Sequence, residues 1–251
     1  MFLLDLKIKI MYKQLIDQSK LITLEEETHT YKLQESNIQF QSVTEFIHSF
    51  FKPFEEDKIA KKLTSSHPKY TGMSPEELIK IWDSNRDRGT LVHKEIEEFI
   101  LNTKNKITDP KTLQAINFLN KKCIKPSNVL IPELIIFSEK LQLAGTIDLV
   151  IYNKLTNQIS IIDWKTNKRI NKSPFKQSDT GLKWPTLNTP DCNFTHYTLQ
   201  LSLYKYILKS IYKVPVNGIF LMHLKENEYE LHHCKYNEEI IINMLKQKNE
   251  L

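Results

Sequence analysis

The chain has 251 residues, of which 40% are hydrophobic and 26% charged, and a net charge of +5. That length suits one domain with a sizeable core, and the mild positive bias permits nucleic-acid binding without demanding it. Cys123, Cys192 and Cys234 are far apart, odd in number and lack CxxC spacing. They argue against a disulfide scaffold, a zinc knuckle or a four-cysteine cluster, and fit a reducing, intracellular compartment, with cytoplasm, nucleus and mitochondrion unresolved.

No apolar run approaches the ~18 residues of a membrane helix, and Asp5, Lys7 and Lys9 speak against a signal peptide. Residues 1–20 read as a helical or loosely ordered extension preceding a single domain over 21–251. Leu21 to Leu33 and Ile38 to Phe40 read as short strands. Ser42 and Glu45 form a capping-box pattern that opens a short helix through Phe51, which Lys52 and Pro53 close. A polar stretch runs on to Gly72. Ser74, Pro75 and Glu77 then cap a helix whose Leu78, Ile81 and Trp82 keep helical spacing. Gly89 is expected to interrupt or bend it before Val92, Ile96, Phe99 and Ile100 resume the pattern.

Asp109 to Asn120 reads as another helix, and Val129 to Phe137 and Leu141 to Lys165 as the central strands. Residues 166–194, with Pro174, Pro185 and Pro190, have no periodicity and read as a long functional loop or lid. An amphipathic helix over Thr195 to Tyr212, strands over Val216 to Leu224 and Tyr229 to Cys234, and a last helix capped by Asn237 complete an α/β order.

The chemistry concentrates in two strands. Asp148 lies inside the first, between Ile147 and Leu149. In the second, the apolar run Ile159 to Ile162 abruptly acquires Asp163 and Lys165, which share a face because side chains two apart on a strand point the same way. Residues 153–157 form a turn-rich link of hairpin length between them. Charges in covered strands are expensive unless compensated. Two carboxylates sharing a divalent ion, with a lysine beside them, supply that compensation. The other reading, a surface hairpin with solvated charges, fits poorly with so many apolar neighbours.

At these residues the sequence resembles the PD-(D/E)XK nuclease superfamily, in particular its RecB-like branch. Asp148 followed by Asp163-Trp164-Lys165 matches the family pattern of an acid on one strand and acid-x-Lys on the next. The wording around Gly145 to Asp148 and Ile162 to Thr166 is similar to that of mitochondrial genome maintenance exonuclease and related viral and phage exonucleases. The separate motifs span about Gly89 to Tyr204.

The resemblance implies a restriction-endonuclease-like core, a central mixed sheet flanked by helices, and hydrolysis of DNA with Mg²⁺ or Mn²⁺. It implies Asp148 and Asp163 as metal ligands and Lys165 as the transition-state cation. His93, four residues after Gly89, matches the helical histidine that completes the metal shell. Glu133 is a candidate ligand for metal or water, or else an edge-strand residue beside Pro132. Gln200 and Tyr204 match a Q-x-x-x-Y helix motif, although Tyr204 also suits the core.

The stretch from Lys165 to Lys176, both included, holds five basic residues and no acid. Lys168, Arg169 and Lys172 are either a solvated loop or a track for the DNA backbone. Phe175 and Trp184 either stack on unpaired bases or pack the loop onto the domain. His232 and His233 read only as polar surface. The expectation is a monomeric exonuclease acting on single-stranded DNA or DNA ends, with a structure- or site-specific endonuclease and a non-catalytic DNA-binding subunit as alternatives. With no helicase motif, processive unwinding requires a helicase or another replication or repair partner.

Overall fold

The computed structural model describes residues 13–25, 28, 30–103 and 106–249. Residues 1–12, most of the expected N-terminal extension, lie outside the described residues. Residues 13–19 are helical, and Leu15 is buried in the main core.

Eight strands form one mixed sheet: β1 (Ile22–Glu25), β2 (Thr30–Leu33), β3 (Gln39–Ser42), β4 (Asn128–Ser138), β5 (Leu143–Asn153), β6 (Gln158–Lys165), β7 (Val216–Leu224) and β8 (Tyr229–His233). The β1–β2–β3, β4–β5–β6 and β7–β8 pairings are antiparallel, whereas β3–β5 and β6–β7 are parallel. The expected α/β order with a mixed sheet and flanking helices is what the chain adopts.

Strand β5 organises the site. One of its edges pairs with β4 from Leu143 to Asn153. The other pairs with β3 at Leu143 and Ala144, then with β6 only from Leu149 onward. Residues 145–148 therefore face a split between β3 and β6, and Asp148 stands at its closing end.

Alternation in β6 feeds two cores. Ile159 and Ile161 enter the larger cluster, beneath helices α1 (Val43–His48), α5 (Asn193–Tyr206) and α6 (Glu238–Asn249). Ile162 and Trp164 enter a second, with Val92 and Ile96 of α3 (Pro75–Leu101) and Ala115 and Phe118 of α4 (Pro110–Phe118). Two-sided burial explains why β6 reads as a nearly continuous apolar run.

The caps follow local chemistry. Ser42 accepts a 3.0 Å bond from the Glu45 amide at the start of α1. Ser74 and Glu77 form a full reciprocal box at the start of α3, and Pro75 occupies the first turn.

Several expectations need correction. Helix α3 is continuous for 27 residues and passes through Gly89 without interruption. A Cβ on Gly89 would lie 3.0 Å from Thr166 Oγ1, so this glycine permits a close approach to the end of β6. The polar stretch before Gly72 holds an eleven-residue helix, α2 (Glu56–Ser66). Its single fully buried residue, Ala60, leaves almost no apolar stripe to read, and its charged residues are good helix formers. Helix α5 is buried nearly all round, through Thr198, Leu199, Leu201, Ser202, Leu203 and Tyr204, so it is a core helix rather than an amphipathic one. Helix α4 continues into a π-helical turn over Leu119–Cys123.

Candidate active site

The split in the sheet, the C-terminal half of α3 and one face of α5 converge on a single group of charged side chains. Asp148 Oδ2 accepts a 2.7 Å bond from the Trp164 amide, which ties its carboxylate to the strand bearing Asp163 and Lys165. His93 reaches across from α3 and bonds the Trp164 carbonyl through Nε2 at 3.2 Å. A carbonyl only accepts, so Nε2 carries the hydrogen and the lone pair sits on Nδ1. That Nδ1 faces Asp148 Oδ2 at 3.7 Å.

Glu133 completes the group. Pro132 pairs with Leu149 and Leu134 with Ile147, so Glu133 falls opposite Asp148 across the β4–β5 ladder. Its φ of 46° is left-handed, which breaks the ladder at this one step. One ligand atom each from His93, Glu133 and Asp148 lies within 4.8 Å of the others. Burial, then Asp148, Glu97 and Asp163, push the Glu133 carboxyl up to about 9.

Asp163 is held differently. It is 2% exposed, and its Oδ2 meets Lys165 Nζ at 2.6 Å. Burial raises its pKa to about 6, with Lys165 opposing and Asp148 adding to the rise. Burial works against the Lys165 charge, yet Asp163 and Asp148 outweigh it and leave the ammonium above its usual value. The Lys165 ammonium also lies 4.6 Å from the centre of the Tyr197 ring. The structure thus gathers His93, Glu133 and Asp148 into one ligand-spaced group, with the Asp163–Lys165 pair on the neighbouring strand. Three acids and one imidazole are the donor set a hard divalent ion takes. Burial first, and neighbouring carboxylates after it, raise the pKa values of Glu133 and Asp163.

Gln200 Nε2 donates to the Tyr204 hydroxyl at 3.1 Å. Tyr204 is 2% exposed and lies over Gly145, where an added Cβ would come within 2.6 Å of Cε1. Gly145 is required by this contact, and Tyr204 is mainly a packing residue. Lys168, Arg169 and Lys172 border a cleft of about 510 Å³ together with His223 and Glu230. Phe175 is 95% exposed and Trp184 is 51% exposed. The later part of the loop is docked rather than free, because the Leu182 amide and the Thr186 hydroxyl both bond the Phe50 carbonyl, at 2.8 and 3.2 Å.

The profile of the PD-(D/E)XK nuclease superfamily matches residues 120–250. The chain belongs to that superfamily. The matched segment carries Glu133, Asp148, Asp163, Lys165, Gln200 and Tyr204, whereas His93 lies outside it. A search of curated proteins finds no match to add to this assignment. PD-(D/E)XK nucleases use divalent metal ions, typically Mg²⁺, and act on DNA. The donor set around Asp148 fits such an ion. No helix among the described residues of this nuclease is long and apolar enough to cross a membrane.

Two parts of the site escaped the sequence. Tyr197 belongs with Gln200 and Tyr204 in a 3–4 spacing on one face of α5, a signal available in the sequence. The Trp164 peptide, gripped by Asp148 and His93, leaves no sequence signal because any residue supplies the same backbone.

Proposed function

We propose that this chain is a Mg²⁺- or Mn²⁺-dependent exonuclease that degrades single-stranded DNA or DNA ends. The observation that carries this reading is the half-buried group of His93, Glu133 and Asp148 beside the Asp163–Lys165 pair. His93 Nδ1, Glu133, Asp148 and Asp163 would hold the metal, which when bound polarises the phosphoryl oxygen and lowers the pKa of a water.

In the hydrolysis, the oxygen of water attacks phosphorus, the bond to the leaving oxygen breaks, and the leaving oxygen takes a proton. Lys165 places a fixed ammonium where negative charge grows on the phosphoryl group, and Asp163 aims it. The Trp164 peptide holds Asp148 and His93 in register, so they need no reorganisation when the substrate arrives. Gln200 offers a neutral amide to the substrate. Lys168, Arg169 and Lys172 neutralise backbone phosphates.

The preference for free ends rests on the loop over residues 166–194. It presents an exposed Phe175 and a half-exposed Trp184 next to basic side chains, and its far end is fastened to Phe50. Aromatic faces beside cations suit unpaired bases of any sequence. Linear and circular single-stranded DNA of one sequence separate the readings. Degradation of the linear form alone supports the exonuclease. Cleavage of circles identifies an endonuclease of the same fold, and binding without cleavage of either identifies a non-catalytic DNA-binding subunit.

A further inference from the structure

Strand pleating gathers a second group of metal-ligating side chains. His223 in β7 is the register neighbour of Lys165 and pairs across the ladder with Glu230 in β8. Glu230 and His232, two apart on one strand, share a face. Glu230 Oε2 therefore lies between two imidazoles, 3.6 Å from His223 Nδ1 and 3.6 Å from His232 Nε2.

Two of the three groups are oriented from behind. His223 is 3% exposed, and its Nε2 bonds the Asn167 carbonyl at 2.7 Å, which leaves the lone pair on Nδ1. Lys225 pairs with Glu230 Oε1 and leaves Oε2 for the imidazoles. His232 Nε2 is buried and makes no hydrogen bond among the described residues.

A spacing of 3.6 Å is too long for a hydrogen bond. It matches the edge of a metal tetrahedron, because donors about 2.0–2.2 Å from a zinc ion stand about 3.3–3.6 Å apart. A carbonyl behind a histidine ligand and a cation behind a carboxylate are the usual supports of such donors. The surrounding lysines would favour an anion, but Glu230 Oε2 occupies the centre of the group and would repel one.

We propose that His223 Nδ1, Glu230 Oε2 and His232 Nε2 bind a Zn²⁺-class transition-metal ion, with the fourth position open to the cleft bordered by Lys168 and Arg169. Two imidazoles and one carboxylate with an open position make a borderline-soft site, distinct from the acid-rich group around Asp148. The proposal does not depend on the nuclease activity.

The test uses the full chain, stripped with chelator and then titrated with Zn²⁺ against a chromophoric competitor. Asp148→Asn serves as background, to weaken the first group. That protein should retain one tightly bound Zn²⁺, and Co²⁺ in its place should give the intense visible absorption of a tetrahedral site. Adding His232→Gln, or separately Glu230→Gln, should weaken Zn²⁺ roughly a hundredfold and abolish the Co²⁺ band, with unchanged circular dichroism of the apo forms. Glu230 is largely exposed, so its variant keeps the test usable if the histidine variant unfolds. Absence of tight Zn²⁺ from the Asp148→Asn protein, or an affinity that neither added substitution changes, would overturn the proposal.

Discussion

Glu133 lies directly across from Asp148, at the one step where the β4–β5 ladder forms no pair, and takes a left-handed φ of 46° to do so. A non-glycine residue in that region carries about 1–3 kcal/mol of strain. Placing two carboxylates together in a covered sheet adds repulsion to it. Both penalties fall on the apo protein, and a shared cation relieves the repulsion.

The first prediction follows from the sign of these shifts. Burial, with Asp148 next, raises Glu133 in the folded chain to about 9, and burial raises Asp163 to about 6. Both lie above their unfolded values, so the folded state holds more protons than the unfolded one. Its stability is then greatest below the unfolded carboxyl values and declines as pH rises toward 9. The chelated protein should melt at a lower temperature at pH 8.5 than at pH 5.5, and Mn²⁺ should raise the melting temperature most at the higher pH. Glu133→Gln should flatten the pH trend. A chelated wild type whose melting temperature rises over that range would refute the burial of these acids.

Lys165→Ala tests the cation. Its ammonium touches Asp163 and not the ligand-spaced group, so its loss should fall on the chemical step. Turnover should drop roughly 10²–10³-fold with DNA binding changed far less. Equal losses in turnover and binding would make it a simple backbone contact.

Gly145→Ala tests the packing of the split. The new Cβ would meet the Tyr204 ring at 2.6 Å. Forcing a methyl group into that contact should destabilise the fold by about 1–3 kcal/mol in urea unfolding. The double variant with Tyr204→Ala should show clear non-additivity, because the second change removes the obstruction. Additive losses would place the two residues apart.

The proposed DNA track on the basic loop predicts a salt response. Replacing Lys168, Arg169 and Lys172 together should reduce the slope of log affinity against log salt by about 2–3 for single-stranded DNA, leaving metal dependence unaltered. An unchanged slope would show that the loop does not track the DNA backbone.

Strands β5 and β6 are legible in the sequence because their signal is local. An acid and a lysine two apart at the end of an apolar run report both the strand and its covered setting. His93 was found only through resemblance, since a single helical histidine carries no spacing of its own. Helix α2 is hidden in the sequence because it buries almost nothing, and α5 reads as amphipathic although its polar Thr198 and Ser202 are buried too. Ser202 is satisfied by the Thr198 carbonyl at 2.7 Å, a bond that hydropathy does not record. His223, Glu230 and His232 come together through register between β7 and β8, and strand pairing cannot be read from residue types alone.

The most direct test of the central claim is the turnover of linear single-stranded DNA by the wild type and Asp163→Asn, side by side at saturating Mn²⁺. The wild type should cleave only when the metal is present. The Asn variant should lose cleavage while binding the DNA as well or better, because a charge that repels phosphate is gone. Wild-type turnover by Asp163→Asn, or undiminished cleavage by the wild type in excess chelator, would contradict a metal-dependent active site at Asp148 and Asp163.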